Sequence, residues 1–246
     1  MEEVVAMNII EGIFERMDKW RNLPKYALER RADIFFGVYL KTVLEAKYDI
    51  KIKEEIIPEF PVRKATIYPN VQTNQSFNID FLAFSEDNQI AFLIELKTDI
   101  GSRREKQDDY LRAVTKIGIS KVIQGLVDIF RATNRKRKYF HLLKMLEDIG
   151  IIELPSQLQS KVFSKNRVEL NILIGKMKII APINKCKVVY LQPTGNSDDV
   201  ITFNEFSRLI QEFDDPITQR FVESHKTWSE IKAGHLDIEQ QQLDSL

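Results

Sequence analysis

Residues 78–99 read NIDFLAFSEDNQIAFLIELKTD, two short apolar runs separated by a polar turn, and the second run ends Glu95-Leu96-Lys97. Alternate side chains of a strand share a face, with Cα atoms about 6–7 Å apart. Glu95 and Lys97 therefore look into the same space while Leu96 points the other way. If the first run pairs antiparallel with the second through the turn, Asp80 falls near the same end of the sheet as Glu95. Two carboxylates about 4 Å apart repel by roughly 4 kcal/mol at an effective dielectric near 20, and a lone lysine offsets only part of that. A divalent cation is the natural solution. Magnesium, with manganese as its substitute, takes oxygen ligands, binds through one or two carboxylates and keeps positions for water and a phosphate oxygen. Lys97 beside such an ion would orient or deprotonate an attacking water, or balance the charge that grows on phosphoryl oxygens. The chemistry implied is metal-dependent hydrolysis. The competing account is a structural ion-pair cluster, since strand ends carry charges routinely and a paired acid and base need no metal.

The elements that must position these residues are read from periodicity. Apolar side chains at Val4, Val5, Ile9, Ile10, Ile13, Phe14 and Met17 predict an amphipathic helix over 3–20. A second helix, long and mostly core, is predicted to begin after Asn22 with Pro24 in its first turn. In EEIIPEFPVRK, Pro58 and Pro61 bound a short extended segment suited to a sheet edge or a strand end. FNIDFLAF and IAFLIELK, joined by SEDNQ with its Asp87-Asn88 turn chemistry, predict a hairpin. Its second strand is apolar on both faces from Ile90 to Ile94 and should be central. Helical patterns follow near 105–118, 120–132 and 138–149. RVELNILIGKMKII and KCKVVYLQP read as later strands, NEFSRLIQEF and DPITQRFVESHKTWSEIK as helices, and 235–246 as a polar, frayed tail. The fold class expected is α/β, a mixed central β-sheet flanked by helices, as a single domain over 1–234 with its core at about 25–195.

Among 246 residues, 36 basic and 36 acidic side chains cancel, so no bulk positive field announces a nucleic-acid binder. Two local basic groups remain: Arg103, Arg104 and Lys106 just after the motif strand, and Arg135, Lys136, Arg137 and Lys138 in NRKRKY. Either would contact phosphates, or be a solvated loop. The single Cys186 cannot form an intramolecular disulfide and reads as packing. The first residues carry acids where a secretory signal needs bases, and no apolar run approaches the roughly 18–20 residues of a membrane span. The expected compartment is the cytoplasm, with no membrane association. His141, His225 and His235 are scattered and lack the spacing of a zinc or H-E-x-x-H site. No phosphate-binding P-loop, dinucleotide G-x-G-x-x-G or G-x-S-x-G elbow occurs in the sequence. Nucleotide hydrolysis, dinucleotide chemistry and a common esterase design thus have no support.

Asp80 followed by Glu95-Leu96-Lys97 at the end of an apolar strand resembles the PD-(D/E)XK nuclease superfamily, with Ile79 standing where that family often has proline. The resemblance covers roughly residues 25–115: an acidic helix, a hairpin bearing the signature, then a helix. Gln107 and Tyr110 in EKQDDYL resemble the glutamine and tyrosine that several branches place beside the site. VVYLQPTGNS is similar to a late strand and turn of uncharacterised bacterial and phage-associated members. What the resemblance implies is a restriction-endonuclease-like core with helical elaborations at both ends. Asp80 and Glu95 would be metal ligands with the Leu96 carbonyl as a third, Lys97 the catalytic lysine, and Gln107 a further site residue. The family's helix acid has two candidates, Glu29 and Glu45, with Asp33 one turn from Glu29 on a shared face. Glu29 is favoured because a helix start would set its carboxylate beside the sheet end. The function expected is that of a Mg²⁺-dependent nuclease acting on DNA, with RNA as the other polymer to consider, alone, as a homodimer or in a protein complex. The alternative is a noncatalytic nucleic-acid-binding or partner-binding protein of the same fold, or a subunit active only within a defence or repair complex.

Overall fold

A computed structural model describes residues 2–99, 103–162 and 166–230, with side chains from residue 9 onward. The chain runs α1 (Glu2–Trp20), α2 (Glu29–Tyr48), β1 (Ile57–Arg63), α3 (Lys64–Ile67), β2 (Ser76–Phe84) and β3 (Ile90–Leu96). Next come α4 (Glu105–Ile117), α5 (Ile119–Ala132), α6 (Lys136–Asp148), β4 (Ile152–Glu153), α7 (Leu158–Lys161) and α8 (Arg167–Ile174). The last elements are β5 (Lys178–Ile179), β6 (Lys185–Gln192), β7 (Val200–Thr202), α9 (Phe203–Leu209) and α10 (Pro216–Trp228). The fold is α/β: a five-stranded mixed sheet in the order β1-β2-β3-β6-β7, flanked by helices, with β4 and β5 pairing separately. β1, β2 and β3 run antiparallel and β6 parallel to β7. Among the described residues no helix is long and apolar enough to cross a membrane.

The hairpin closes through local chemistry. Ser85 N–H donates to the Ile90 carbonyl at 3.0 Å and Ile90 N–H to Ser85 Oγ at 2.9 Å. Asp87 Oδ1 accepts from Gln89 N–H at 3.0 Å, and Asn88 takes the left-handed backbone at φ 59° that asparagine tolerates. This turn fixes the register Phe81↔Ile94, Leu82↔Leu93 and Phe84↔Ala91. β3 lies in the middle of the sheet and is buried from Ala91 through Leu96, as its two apolar faces require. β1 is the edge strand. Pro58 and Pro61 sit inside it rather than at its ends, opposite Phe81 and Asn78, which an edge allows because one side needs no donors.

Three sequence expectations are corrected. α2 begins at Glu29, not just after Asn22: the chain first makes tight turns, Leu23 N–H to the Trp20 carbonyl and Tyr26 N–H to Leu23, with Pro24 inside them. The buried Leu28 anchors the helix start, its carbonyl accepting from Arg31 and Ala32. Residues 167–174 are helix, not strand. Asn166 caps them, Oδ1 accepting from Glu169 N–H at 3.1 Å, and Leu170, Leu173 and Ile174 bury at helical spacing; a short apolar run reads equally well either way. On α1, Phe14 and Met17 face the core but Ile9 and Ile13 are exposed. The side chains of Val4 and Val5, and residues 231–246 with the expected tail, lie outside the described residues.

By its internal contacts the chain divides into two compact units, Met1–Asp49 with Glu95–Arg104 and Val189–Leu246, and Ile50–Ile94 with Glu105–Val188. In the second, α5 packs on β1, and Gly125 lets it approach α3: a Cβ there would lie 2.5 Å from Thr66 Oγ1. Tyr110 fastens α4 to β2, its ring stacked 4.7 Å from Phe77 and its hydroxyl donating to the Asn78 carbonyl at 3.0 Å.

The first unit gathers Phe14, Phe36, Phe203, Phe206, Phe221 and Trp228 from α1, α2, α9 and α10, all buried. His225 sits among them with no exposed surface, stacked 5.1 Å from Phe36 and held by Ser207 Oγ at 2.7 Å from Nδ1. Burial pushes its imidazole down to about 3, against a backbone hydrogen bond with Phe203 that acts upward. The neutral ring is thus built into the fold, whereas the unfolded chain takes up a proton below about 6.5. Stability is complete above that value and falls as pH drops toward 3. Relative to a His225→Gln variant, the chain is expected to lose about 1.4 kcal/mol per pH unit between pH 6 and 4. Urea unfolding across that range measures it; parallel pH profiles would refute it.

Candidate functional site

The end of β3 carries a fully buried acid. Glu95 has no exposed surface and Lys97 almost none, while Leu96 packs on the opposite face. Lys97 Nζ lies 3.2 Å from Glu95 Oε2 and donates to the Leu96 carbonyl at 3.1 Å. Lys97 N–H donates to the Leu191 carbonyl of β6 at 2.8 Å, so sheet pairing persists past the last strand residue and holds the lysine's backbone in place. A carboxylate removed from water costs several kcal/mol unless a charge and hydrogen bonds replace the lost hydration, and Lys97 supplies the charge.

α2 contributes the next group. Glu29 is its first residue and is half-buried, its Oε1 3.5 Å from the backbone N–H of Thr98, itself buried beside Lys97. A carboxylate at a helix N-terminus is also favoured by the helix dipole. Glu45 lies about 24 Å farther along the same helix at 1.5 Å per residue, so the two candidate acids cannot serve one site, and Glu29 is the one at the motif. Asp33 is half-buried and accepts from Ile34 N–H at 2.7 Å.

Downstream, Arg103 is exposed and stacks its guanidinium 3.8 Å over the ring of the buried Tyr190, with Nη2 3.4 Å from Asp199 Oδ2. The late strand and turn thus meet the segment that follows the motif. In that turn Gln192 Nε2 donates to the Thr194 carbonyl at 2.6 Å, and Gly195, at φ 153°, has room for no side chain: a Cβ would stand 2.9 Å from Val200 Cγ1. Arg104 and Lys106 are exposed.

The second unit holds the remaining sequence-predicted residues. Asp80 is half-buried on β2, immediately before Phe81, whose partner Ile94 immediately precedes Glu95. Gln107 is half-buried in the first turn of α4, one turn before Tyr110. Arg135 is the N-cap of α6 and Lys136, Arg137 and Lys138 form its first turn. All four line one cavity together with Arg167 of α8. Arg167 carries no sequence signal of its own, being an isolated base at the head of an apolar run; only the fold brings it to the others. Lys136 already has structural partners, its Nζ donating to the carbonyls of Phe130 and Arg131 at the end of α5.

Neither described histidine lies at the strand end: His225 lies in the aromatic core and His141 is exposed beside Phe140, while His235 lies outside the described residues. Cys186 is half-buried, and burial raises its thiol above the usual range, as suits a packing residue. Among the described residues, no three His, Cys, Asp or Glu side chains gather into a metal-holding group. The donor set at the strand end is all oxygen, a carboxylate and a backbone carbonyl, the ligand type that magnesium takes. Comparison of the chain with protein-family models, with curated proteins and with solved structures returned no match.

Proposed function

We propose that the chain is a magnesium-dependent nuclease that hydrolyses phosphodiester bonds in DNA, using a PD-(D/E)XK arrangement at the end of β3. The observation that carries this reading is the fully buried Glu95 sharing a strand face with Lys97, with Glu29 directed at the next backbone amide. We group Asp80 with them because it stands on β2 immediately before Phe81, the residue that pairs with Ile94. Asp80, Glu95 and the Leu96 carbonyl would hold the ion; carboxylate and carbonyl oxygens each offer more than one acceptor position, so the bonds to Lys97 leave the donor type suitable. A bound magnesium supplies Lewis acidity and lowers the pKa of water.

The chain's own groups do the rest. Paired with Glu95, Lys97 acts as an ammonium that orients the attacking water and balances charge growing on the phosphoryl oxygens. The water oxygen bonds to phosphorus, the bond from phosphorus to the leaving oxygen breaks, the water's proton passes to solvent and the leaving oxygen takes one up. Glu29 sets the Thr98 backbone, and with it the start of the segment after Lys97. Gln107 orients the water or the scissile phosphate, and Arg103, Arg104 and Lys106 contact the polymer backbone. One observation favours a second reading: Lys97 already neutralises Glu95 and bonds the Leu96 carbonyl, as a purely structural pair would. On that reading the chain is a noncatalytic nucleic-acid-binding or partner-binding protein. We place the protein in the cytoplasm.

Cleavage of linear and plasmid DNA with Mg²⁺ is expected from the unaltered chain, with Asp80→Ala, Glu95→Gln and Lys97→Ala each lowering the rate at least 100-fold and Glu29→Gln about 10-fold, in line with single catalytic-group deletions. Folded variants that cut as well as the parent would remove the assignment. A second measurement separates the two readings without any turnover. Lys97→Met removes the ammonium beside the buried Glu95 and is expected to destabilise the chain by about 3–5 kcal/mol. On the metal reading, millimolar Mn²⁺ restores much of that loss in thermal melts; on the structural reading, Mn²⁺ leaves the melting temperature unmoved.

A further inference from the structure

We infer that the basic cavity at the head of α6, whose described lining is residues 134–138, 162, 167 and 170, is an anion site for adjacent phosphate groups. The cavity has a volume of about 540 Å³ and is lined by Arg135, Lys136, Arg137, Lys138 and Arg167, with no carboxylate among its described lining residues. That volume lies within the range of roughly 300–1,000 Å³ typical of small-ligand sites.

The placement of these charges runs against what helix stability alone would select. The N-terminus of a helix carries the positive end of its dipole and favours acids, yet the first turn of α6 has none and its N-cap, Arg135, makes no side-chain hydrogen bond to the amides. Three consecutive cations follow instead. Lys136 has a structural reason, capping the carbonyls at the end of α5. Burial lowers its pKa, and the charge of Arg167 lowers it further, so the cavity already carries the mutual repulsion of its own cations. Arg135, Arg137 and Lys138 are exposed, and Arg167, in the first turn of α8, lines the same cavity. Cations collected from two helices into one cavity favour an anion among them.

The lining also indicates which anion. Val162 and Leu170 are its apolar residues, and none of its described lining residues is aromatic, so no ring is offered for a base to stack on. What is recognised is phosphate. The lining cations suit a polyanion of two or three adjacent phosphates, whose terminal groups carry about −1.5 to −2 each. Such phosphates come from a soluble oligophosphate or from a nucleic-acid strand; only in the second case does the inference rest on the proposed nuclease function.

The test is a calorimetric titration of the full chain with tripolyphosphate in EDTA, where metal chemistry plays no part. Saturable binding that weakens with salt is expected, falling at least tenfold in Arg137→Gln and in Arg167→Gln, with Arg137→Glu and Arg167→Glu losing more. Both positions of substitution are exposed, and thermal melts confirm that each variant is folded. Competition with single-stranded DNA then assigns the source: displacement of tripolyphosphate, with the same variants weakening DNA binding, identifies a strand, and failure to displace it identifies a soluble oligophosphate. Absence of binding, or binding equal in the parent and both arginine variants, overturns the site. A chain that cleaves DNA but ignores tripolyphosphate refutes this inference alone, and one that binds tripolyphosphate but never cleaves refutes the nuclease alone.

Discussion

A carboxylate in the centre of a β-sheet is tolerable only if something replaces the water it has lost, and that constraint governs the end of β3. Glu95 has no exposed surface, and Lys97, two residues on, sets its ammonium 3.2 Å from Glu95 Oε2. The pairing works because strand alternation returns the chain to the same face after two residues, and because the Leu191 carbonyl of β6 holds the lysine's backbone in extended pairing. Once the strand must carry this pair, its interior has to be apolar on both faces to hold the central place in the sheet. Thr98 then has to leave the sheet with its amide directed at Glu29.

The aromatic core of the first unit handles a buried ionisable group by the opposite route. Among the described residues His225 receives no counter-charge. It is surrounded by Phe36, Phe203, Phe206 and Phe221, accepts or donates one hydrogen bond with Ser207, and stays neutral because charging it there is too costly. A neutral imidazole can be accommodated by packing, whereas an acid such as Glu95 needs a partner or a ligand. That contrast separates the histidine, packed in the aromatic core, from the glutamate at the end of β3.

The cations divide along similar lines. Arg220 is claimed by Glu11 and Asp18 and binds α10 to α1, and Arg21 caps the far end of α10 through the Thr227 and Glu230 carbonyls. Arg135, Arg137, Lys138 and Arg167 instead line an open cavity without a carboxylate among its described lining residues. A chain whose formal charge sums to zero can therefore hold a strongly positive cavity locally, where no described lining residue is an acid.

What could be read without coordinates was local in origin. The hairpin, its turn at Asp87 and Asn88, the central strand and the helices α4 to α6, α9 and α10 follow from alternation, turn chemistry and helical spacing within stretches of about ten residues. So does the shared face of Glu95 and Lys97. The errors fell where local signals are balanced. The run after Asn166 suits a strand or a helix until its cap and its burial choose, and Pro24 can open a helix or sit in a turn until Leu28 finds the core. The choice of Glu29 over Glu45 at Thr98, the enclosure of His225 and the meeting of Arg167 with the α6 cations were decided by tertiary structure alone. Each depends on segments distant in the chain being packed together, and side-chain type and spacing along one element carry no record of what lies across from it.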